Sequence, residues 1–203
     1  IAQWTNASII NAGDGAHQHP TQALVDCYTV REAIGRSSFD GLNVTIVGDI
    51  KHSRVARSNI AAFTMLGAQV TLVAPPTLLP THIAQWPVRV SHSLDEVIAS
   101  TDVLYMLRLQ SERMDQGLIP NLGEYGNRFG LTDQRAQKLQ STAVVMHPGP
   151  MNRGVEMHVD PADLPNSLIH KQVANGVSVR MAVLFDVLAR GGELNSLKEE
   201  GVA

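Results

Sequence analysis

The stretch "LNVTIVGDIKHSR", Leu42–Arg54, sets the architecture of the chain. Leu42 to Val47 is a short apolar run rich in β-branched residues, the composition of a strand buried on both faces. Gly48 and Asp49 interrupt it, and the period then changes. Ala56, Ile60 and Phe63 stand at i, i+4 and i+7, one face of a helix. A buried strand that runs into a helix is the repeating half-unit of a parallel sheet.

The alternation continues in both directions. Downstream, "QVTLVA" is a strand that ends in a turn at Pro75 and Pro76, and "VRVS" is a shorter strand. Ser93 and Glu96 form a capping-box pattern ahead of Val97 and Ile98. "DVLYML" and "TAVVMH" are two further buried strands. The polar, glycine-containing region from Ser111 to Gln140 is expected to hold a long functional loop. Upstream, "SIINAG" reads as a strand that enters a loop. A helix is predicted from Pro20 to about Ile34, with Leu24, Tyr28 and Arg31 on successive turns and Gly35 as its stop. "RSSFDG" is a linker. A last helix is predicted from about Asn175 to Arg190, with Val177, Met181, Leu184 and Leu188 on one face and Gly191 as its end. Together these elements predict an α/β fold built on a doubly wound parallel sheet.

Composition narrows the function classes. The chain of 203 residues is 44% hydrophobic and 17% charged, enough for a substantial core. A formal charge of -3 argues against general nucleic-acid binding. Twelve arginines against four lysines favour fixed recognition of carboxylate or phosphate. Cys27 is the single cysteine, so no disulfide can form within the chain and a cytoplasmic setting is expected. No apolar run approaches the ~20 residues a membrane helix needs. The sequence opens on Ile1 rather than Met, so a piece of a longer chain is expected.

In doubly wound folds ligands bind at the carboxyl ends of the strands. Those ends carry "GDIKHSR", "RLQSER" and "HPGPMNRG" here, and "GDGAHQHPTQ" follows the first predicted strand. A dinucleotide site is disfavoured, because Gly48 stands without the other two glycines of the G-x-G-x-x-G turn. His17 and His19 form an H-x-H pair, but no cysteine cluster joins them, and Asp14 and Asp26 are not in a standard metal-ligand spacing. Pro20 marks a helix start, whose free N–H groups attract anions and where a neutral His19 could donate to a carbonyl. Arg108 and Gln110 fall on one side of an extended chain just beyond a core strand. Arg54, in the first turn of its helix, opposes the helix dipole and therefore suits an anionic partner. Arg180 lies off the centre of the last helix's apolar stripe, where a snorkelling side chain is an equal alternative.

The five segments "HPTQ", "GDIKHSRVARS", "YMLRLQSER", "HPGPMNRGVE" and "NGVSVRMAVL", in this order, resemble aspartate carbamoyltransferase catalytic chains of the bacterial type. Ornithine carbamoyltransferases share "HPxQ" but show a cysteine-containing "HCLP" where this chain has "HPGP". The resemblance implies transfer of a carbamoyl group from carbamoyl phosphate to L-aspartate, in pyrimidine biosynthesis, with no metal or organic cofactor. His19 resembles the donor to the carbamoyl oxygen, and Gln22 the glutamine near the carbamoyl amide. Arg54, Arg108 and Gln110 match residues that hold the two aspartate carboxylates. Pro148 and Gly149 match a turn whose carbonyls contact the reacting groups, and Arg180 matches an arginine of the closing helix.

By the same resemblance, residues 1–40 are the end of a carbamoyl-phosphate domain, 41–165 the aspartate-binding domain, and 166–203 a helix that returns to the first domain. The family's phosphate-binding loop, in roughly its N-terminal third, has no counterpart here. The chain as given is therefore expected to be inactive alone. A homotrimer is implied, with regulatory or dihydroorotase chains as further partners and neither nucleic acid nor membrane. A non-catalytic scaffold homologue, or a transferase for another amine such as ornithine, are the alternative readings.

Overall fold

A computed structural model describes residues 2–5, 7–110 and 117–200, with side chains described as far as Ala189. Five strands form one parallel sheet: β1 (Asn43–Val47), β2 (Gln69–Val73), β3 (Arg89–Ser91), β4 (Val103–Met106) and β5 (Val144–Met146). The spatial order is β3-β2-β1-β4-β5. The chain first builds outward from β1 on one side and then crosses back to place β4 on the other. That reversal opens a crevice at the carboxyl ends of β1 and β4.

Register follows from burial. Val47 pairs with Val73 on one side and with Met106 on the other, and all three are fully buried. Every residue of β4 and β5 is buried, as in a sheet covered on both faces. Helices supply the cover: α1 (Pro20–Ile34), α2 (Arg54–Met65), α3 (Leu94–Val97), α4 (Leu122–Phe129), α5 (Asp133–Ala136) and α6 (Ile169–Glu200). In α2 the predicted face is the buried one: Ala56, Ile60 and Phe63 enter the core, where the Phe63 ring lies 5.8 Å from that of Phe39. Each such side chain, fully buried, contributes about 1.5–3 kcal/mol. Ser53 caps α2 by accepting from the Ala56 N–H.

Helix α1 has the predicted bounds. Pro20 opens it, and Gly35, at φ 68°, closes it with its N–H on the Arg31 carbonyl. Its buried face is a different one from that predicted. Thr21, Val25, Asp26, Thr29 and Val30 face inward, while Leu24 and Tyr28 are partly exposed. Polar residues occupy the inner face because hydrogen bonds satisfy them there; the Thr29 hydroxyl, for example, donates to the Val25 carbonyl.

Four other expectations are corrected. Residues 8–13 form no strand, since no neighbouring strand among the described residues pairs with them. Ser93 occupies the N-cap of α3 without a side-chain cap bond, and Glu96 instead accepts from the Ser91 hydroxyl. The region 117–140 is not one long loop, for α4 and α5 lie in it, capped by Asn121 and Thr132. Ser111, Glu112 and Arg113 fall outside the described residues. Helix α6 begins at Ile169, six residues ahead of Asn175, and passes through Gly191 to Glu200. A helical glycine is unfavourable by only about 1 kcal/mol, and helix formers such as Leu194, Leu197 and Lys198 follow it.

Contrary to the reading of the bare sequence, Ile169–Ala189 is long and apolar enough, by length and composition, to cross a membrane, with a mean hydropathy of 1.2. Its polar side fits a docked helix better. Asn175 donates to Thr29 and Glu32 of α1, Arg180 donates to Gln22, and Gln172 is buried. The stripe of Val177, Met181, Leu184 and Leu188 faces outward, 50–78% exposed.

Candidate functional site

Three loops and one helix start meet at the crevice. His19, Gln22, Arg54, Arg108, Gln110, Pro148 and Gly149 line one cavity of about 210 Å³, together with Ser53, Val55, Leu107 and Pro150. Arg180 lines an adjoining cavity of about 180 Å³ with Gln22, His147, Pro148, Gln172 and Val173. Larger cavities lie elsewhere. One of about 490 Å³ sits beside Tyr125, and one of about 630 Å³ runs along the groove between α1 and α6. Size does not single out the site; convergent polar groups do.

His19 is the N-cap residue of α1, and its backbone N–H donates to the Ser58 hydroxyl at 2.8 Å. That bond ties the start of α1 to α2 across 39 residues of sequence. The imidazole is held below the usual histidine pKa by burial first, then by the positive charges of Arg54 and Arg180. It is thus neutral at pH 7, the form that offers one N–H donor without adding a charge. His17 does not join it. The His17 ring pairs with Asp14 at 3.3 Å and lines a separate cavity beside Arg57 and Trp86. Among the described residues no group of three or more His, Cys, Asp or Glu is placed to hold a metal.

Arg54 stands at the first position of α2, just after Ser53. Its guanidinium lies over Gly13, whose φ of 118° suits glycine. A Cβ there would come within 2.7 Å of the guanidinium carbon. Arg108 and Gln110 follow β4 with Leu107 and Leu109 buried between and beside them. Two cations therefore share one small cavity, an arrangement that favours an anion with more than one charge.

The turn after β5 is fixed from behind. The Gly149 N–H donates to His147 Nδ1 at 2.9 Å, and the His147 N–H donates to Gln172 Oε1 at 3.2 Å. His147 Nε2 lies 3.4 Å from Glu156 Oε1, with both side chains fully buried. Gly149 adopts φ 63°, a conformation that favours glycine, and lines the cavity between Pro148 and Pro150.

Sequence reasoning missed the supporting residues. Asp26 is wholly buried behind the site, and its only sequence mark is a position four residues after Gln22, on the same helix face. Ser58 carries the same kind of mark, one turn beyond Arg54. Gly13 has no local signature, because its role depends on Arg54, 41 positions away.

The model of the aspartate/ornithine carbamoyltransferase Asp/Orn binding domain matches residues 40–187, and that of the carbamoyl-P binding domain matches residues 1–32. The aspartate carbamoyltransferase catalytic subunit of Thermobifida fusca is 53% identical over 201 residues, 99% of this chain and 63% of that relative. That of Mycobacterium marinum is 52% identical over 209 residues, with 100% and 64% covered. The chain thus spans a little under two thirds of the length of the curated relatives it matches. Among solved structures, the catalytic subunit of M. jannaschii aspartate transcarbamoylase aligns with a TM-score of 0.77 at 33% identity, covering 93% of this chain and 61% of that one. The Trypanosoma cruzi aspartate transcarbamoylase in complex with N-(phosphonacetyl)-L-aspartic acid aligns with a TM-score of 0.75 at 33% identity, covering 86% and 57%.

Proposed function

Because the chain belongs to the aspartate/ornithine carbamoyltransferase family, we propose that the protein transfers the carbamoyl group of carbamoyl phosphate to L-aspartate. The products are N-carbamoyl-L-aspartate and phosphate. The observation that carries this reading is the convergence of neutral His19, Gln22, Arg54, Arg108, Gln110 and the Pro148–Gly149 turn on one cavity.

Aspartate brings two carboxylates and carbamoyl phosphate brings a further dianion. Fixed cations offset the repulsion between them, and a small, dry cavity strengthens each pairing. Arg54 and Arg108, with the Gln110 amide, hold the aspartate carboxylates and aim its amine at the carbamoyl carbon. As the C–N bond forms, negative charge builds on the carbamoyl oxygen, where His19 donates. The carbonyls of Pro148 and Gly149 accept from the amine and from the carbamoyl NH₂. The C–O bond to phosphate then breaks, and the amine proton leaves with phosphate or solvent. Holding amine and carbonyl at attack distance supplies much of the rate gain. Arg180 reaches the site through Gln22 and adds to the positive potential around it.

Two cations at the acceptor end favour a dicarboxylate over ornithine, whose side chain is itself a cation. Residues 1–40 serve as the end of the carbamoyl-phosphate domain, 41–165 as the aspartate-binding domain, and 166–203 as the returning helix. The exposed stripe of α6 would be covered by the rest of the first domain. A homotrimer, a cytoplasmic setting, a role in pyrimidine biosynthesis, and assembly with regulatory or dihydroorotase chains belong to the same proposal.

Among the described residues, the arginines that line the cavity are Arg54 and Arg108, both assigned here to aspartate, so the phosphate dianion lacks a cradle and the 203 residues should not catalyse unaided. The test is a ureido-product assay with aspartate, ornithine or buffer, on residues 1–203 and on a chain carrying the family's upstream segment. Aspartate-dependent product only from the longer chain is expected. Product with ornithine, or none from either chain, refutes the assignment.

A further inference from the structure

The site rests on one buried carboxylate. Asp26 is fully buried and accepts four hydrogen bonds, two on each oxygen. Oδ1 takes Gln22 Nε2 at 2.8 Å and Gln172 Nε2 at 2.7 Å. Oδ2 takes Asn59 Nδ2 at 2.8 Å and the Tyr105 hydroxyl at 2.6 Å. The donors come from α1, α6, α2 and β4. All are neutral, and together they match the acceptor capacity of a carboxylate; burial raises the Asp26 pKa, and the four donors act against that rise.

A carboxylate accepts and does not donate, so it dictates which end of each amide faces it. Asn59 shows how strongly: with its NH₂ on Asp26, its Oδ1 is buried without a partner. The charge-assisted bond outweighs the unmet carbonyl. Gln172 is turned the same way, and its Oε1 accepts from the His147 N–H at the base of the Pro148–Gly149 turn. Gln22 is the member that reaches the cavity. One of its two Nε2 hydrogens goes to Asp26, which turns the nitrogen end inward and leaves Oε1 as the outer end, where one lone pair takes Arg180 Nη2 at 3.2 Å.

We propose that Asp26 is a specificity-setting, positioning residue: it fixes the Gln22 amide with its acceptor toward the substrate, and so selects a transferable group that bears an NH₂. The inference rests on the carbamoyl-transfer reading above. An acyl phosphate of equal size whose methyl replaces the NH₂ has nothing to give Gln22 Oε1 and leaves its second lone pair unmet beside the Arg180 bond.

The test compares carbamoyl phosphate with acetyl phosphate as donors to aspartate in the full-length protein. In Asp26→Asn the new amide offers an acceptor and a donor, and Gln22 is free to turn over. The ratio of kcat/KM for the two donors should fall roughly tenfold, the scale of one neutral hydrogen bond. Tyr105→Phe removes its bond to the other carboxylate oxygen and a longer one from Gln172 Nε2, but none to Gln22; it should lower thermal stability but keep the ratio. An unchanged ratio in Asp26→Asn, or an equal fall in Tyr105→Phe, overturns the proposal. Should Asp26→Asn fail to fold, Gln22→Met removes the acceptor from a half-buried position, and a retained ratio there overturns it too. A wild-type protein that transfers nothing to aspartate refutes the functional reading instead. The orientation is then read from the Gln22 side-chain amide protons, whose solvent exchange should be about tenfold slower in wild type than in Asp26→Asn; equal exchange overturns it.

Discussion

Gly13→Ala should damage aspartate binding by displacing Arg54, although Gly13 itself offers no group to the substrate. At φ 118° the new side chain is strained, by about 1–3 kcal/mol. Its Cβ would stand 2.7 Å from Arg54 Cζ, 2.8 Å from Nη1 and 3.0 Å from Nε. Ordinary contact needs nearly 1 Å more, so the guanidinium, the far end of a flexible side chain, retreats by about that much. A misplacement of ~1 Å at a positioning group is worth up to about 10² in rate. The expected result is a Tm lower by roughly 2–10 °C, with an aspartate KM raised about 10–100-fold. Steady-state kinetics with aspartate varied, beside a thermal melt, measures both. In an Arg54→Ala background the same change should lower Tm but add little to the KM, because the two act through one group. A native aspartate KM in Gly13→Ala, or full additivity with Arg54→Ala, would refute the reasoning.

Arg108→Ala should weaken aspartate use by roughly 2–5 kcal/mol and carbamoyl-phosphate binding far less, since it leaves a carboxylate without its charged partner; near-native aspartate kinetics would remove Arg108 from the site. His19→Ala should lower kcat by roughly 10²–10³, the loss of one oxyanion donor, and a chelator should leave the wild type unaffected; activity abolished by a chelator would restore a metal reading. Burial, Arg54 and Arg180 hold His19 below the ordinary histidine value, so the neutral donor persists below pH 6.5 and the acid limb of kcat lies there. Arg180→Ala removes one cation, eases protonation and should move that limb to higher pH; a limb that stays put, or moves down, contradicts the electrostatic account.

The sheet was legible because its signal is local. β1, β2, β4 and β5 are short, mainly apolar runs between turns, β3 is a brief polar–apolar alternation, and each strand appears where its run stands. The bounds of α1 were legible for the same reason, in Pro20 and Gly35. Its inner face was not. Asp26 looks like a solvent residue until Tyr105, Asn59 and Gln172, brought from 33 to 146 positions away, supply donors, and Thr29 likewise until Asn175 does. The cavity-lining residues could be named because strand ends concentrate ligand chemistry. Gly13 and Ser58 act through contacts that only the folded chain creates. The run 8–13 shows the reverse error: an apolar pattern makes a strand only where another strand receives it.

The strand order has one more consequence. The loops at the candidate site follow β1, β4 and β5, which are neighbours in the sheet, while β2 and β3 lie on the far side of β1 and lend no side chain to that cavity. Arg54 and Arg108 are 54 positions apart in sequence, yet their separation in space is set by the pairing of Val47 with Met106. The Leu78 carbonyl accepts from the Lys51 N–H and Trp86 packs under Arg57, so it is between Leu78 and Trp86, around residues 80–85, that the chain can change length while the spacing of the two cations stays fixed. A protein built this way can vary one flank of its sheet, for a new surface or a new neighbour, with its chemistry insulated on the other.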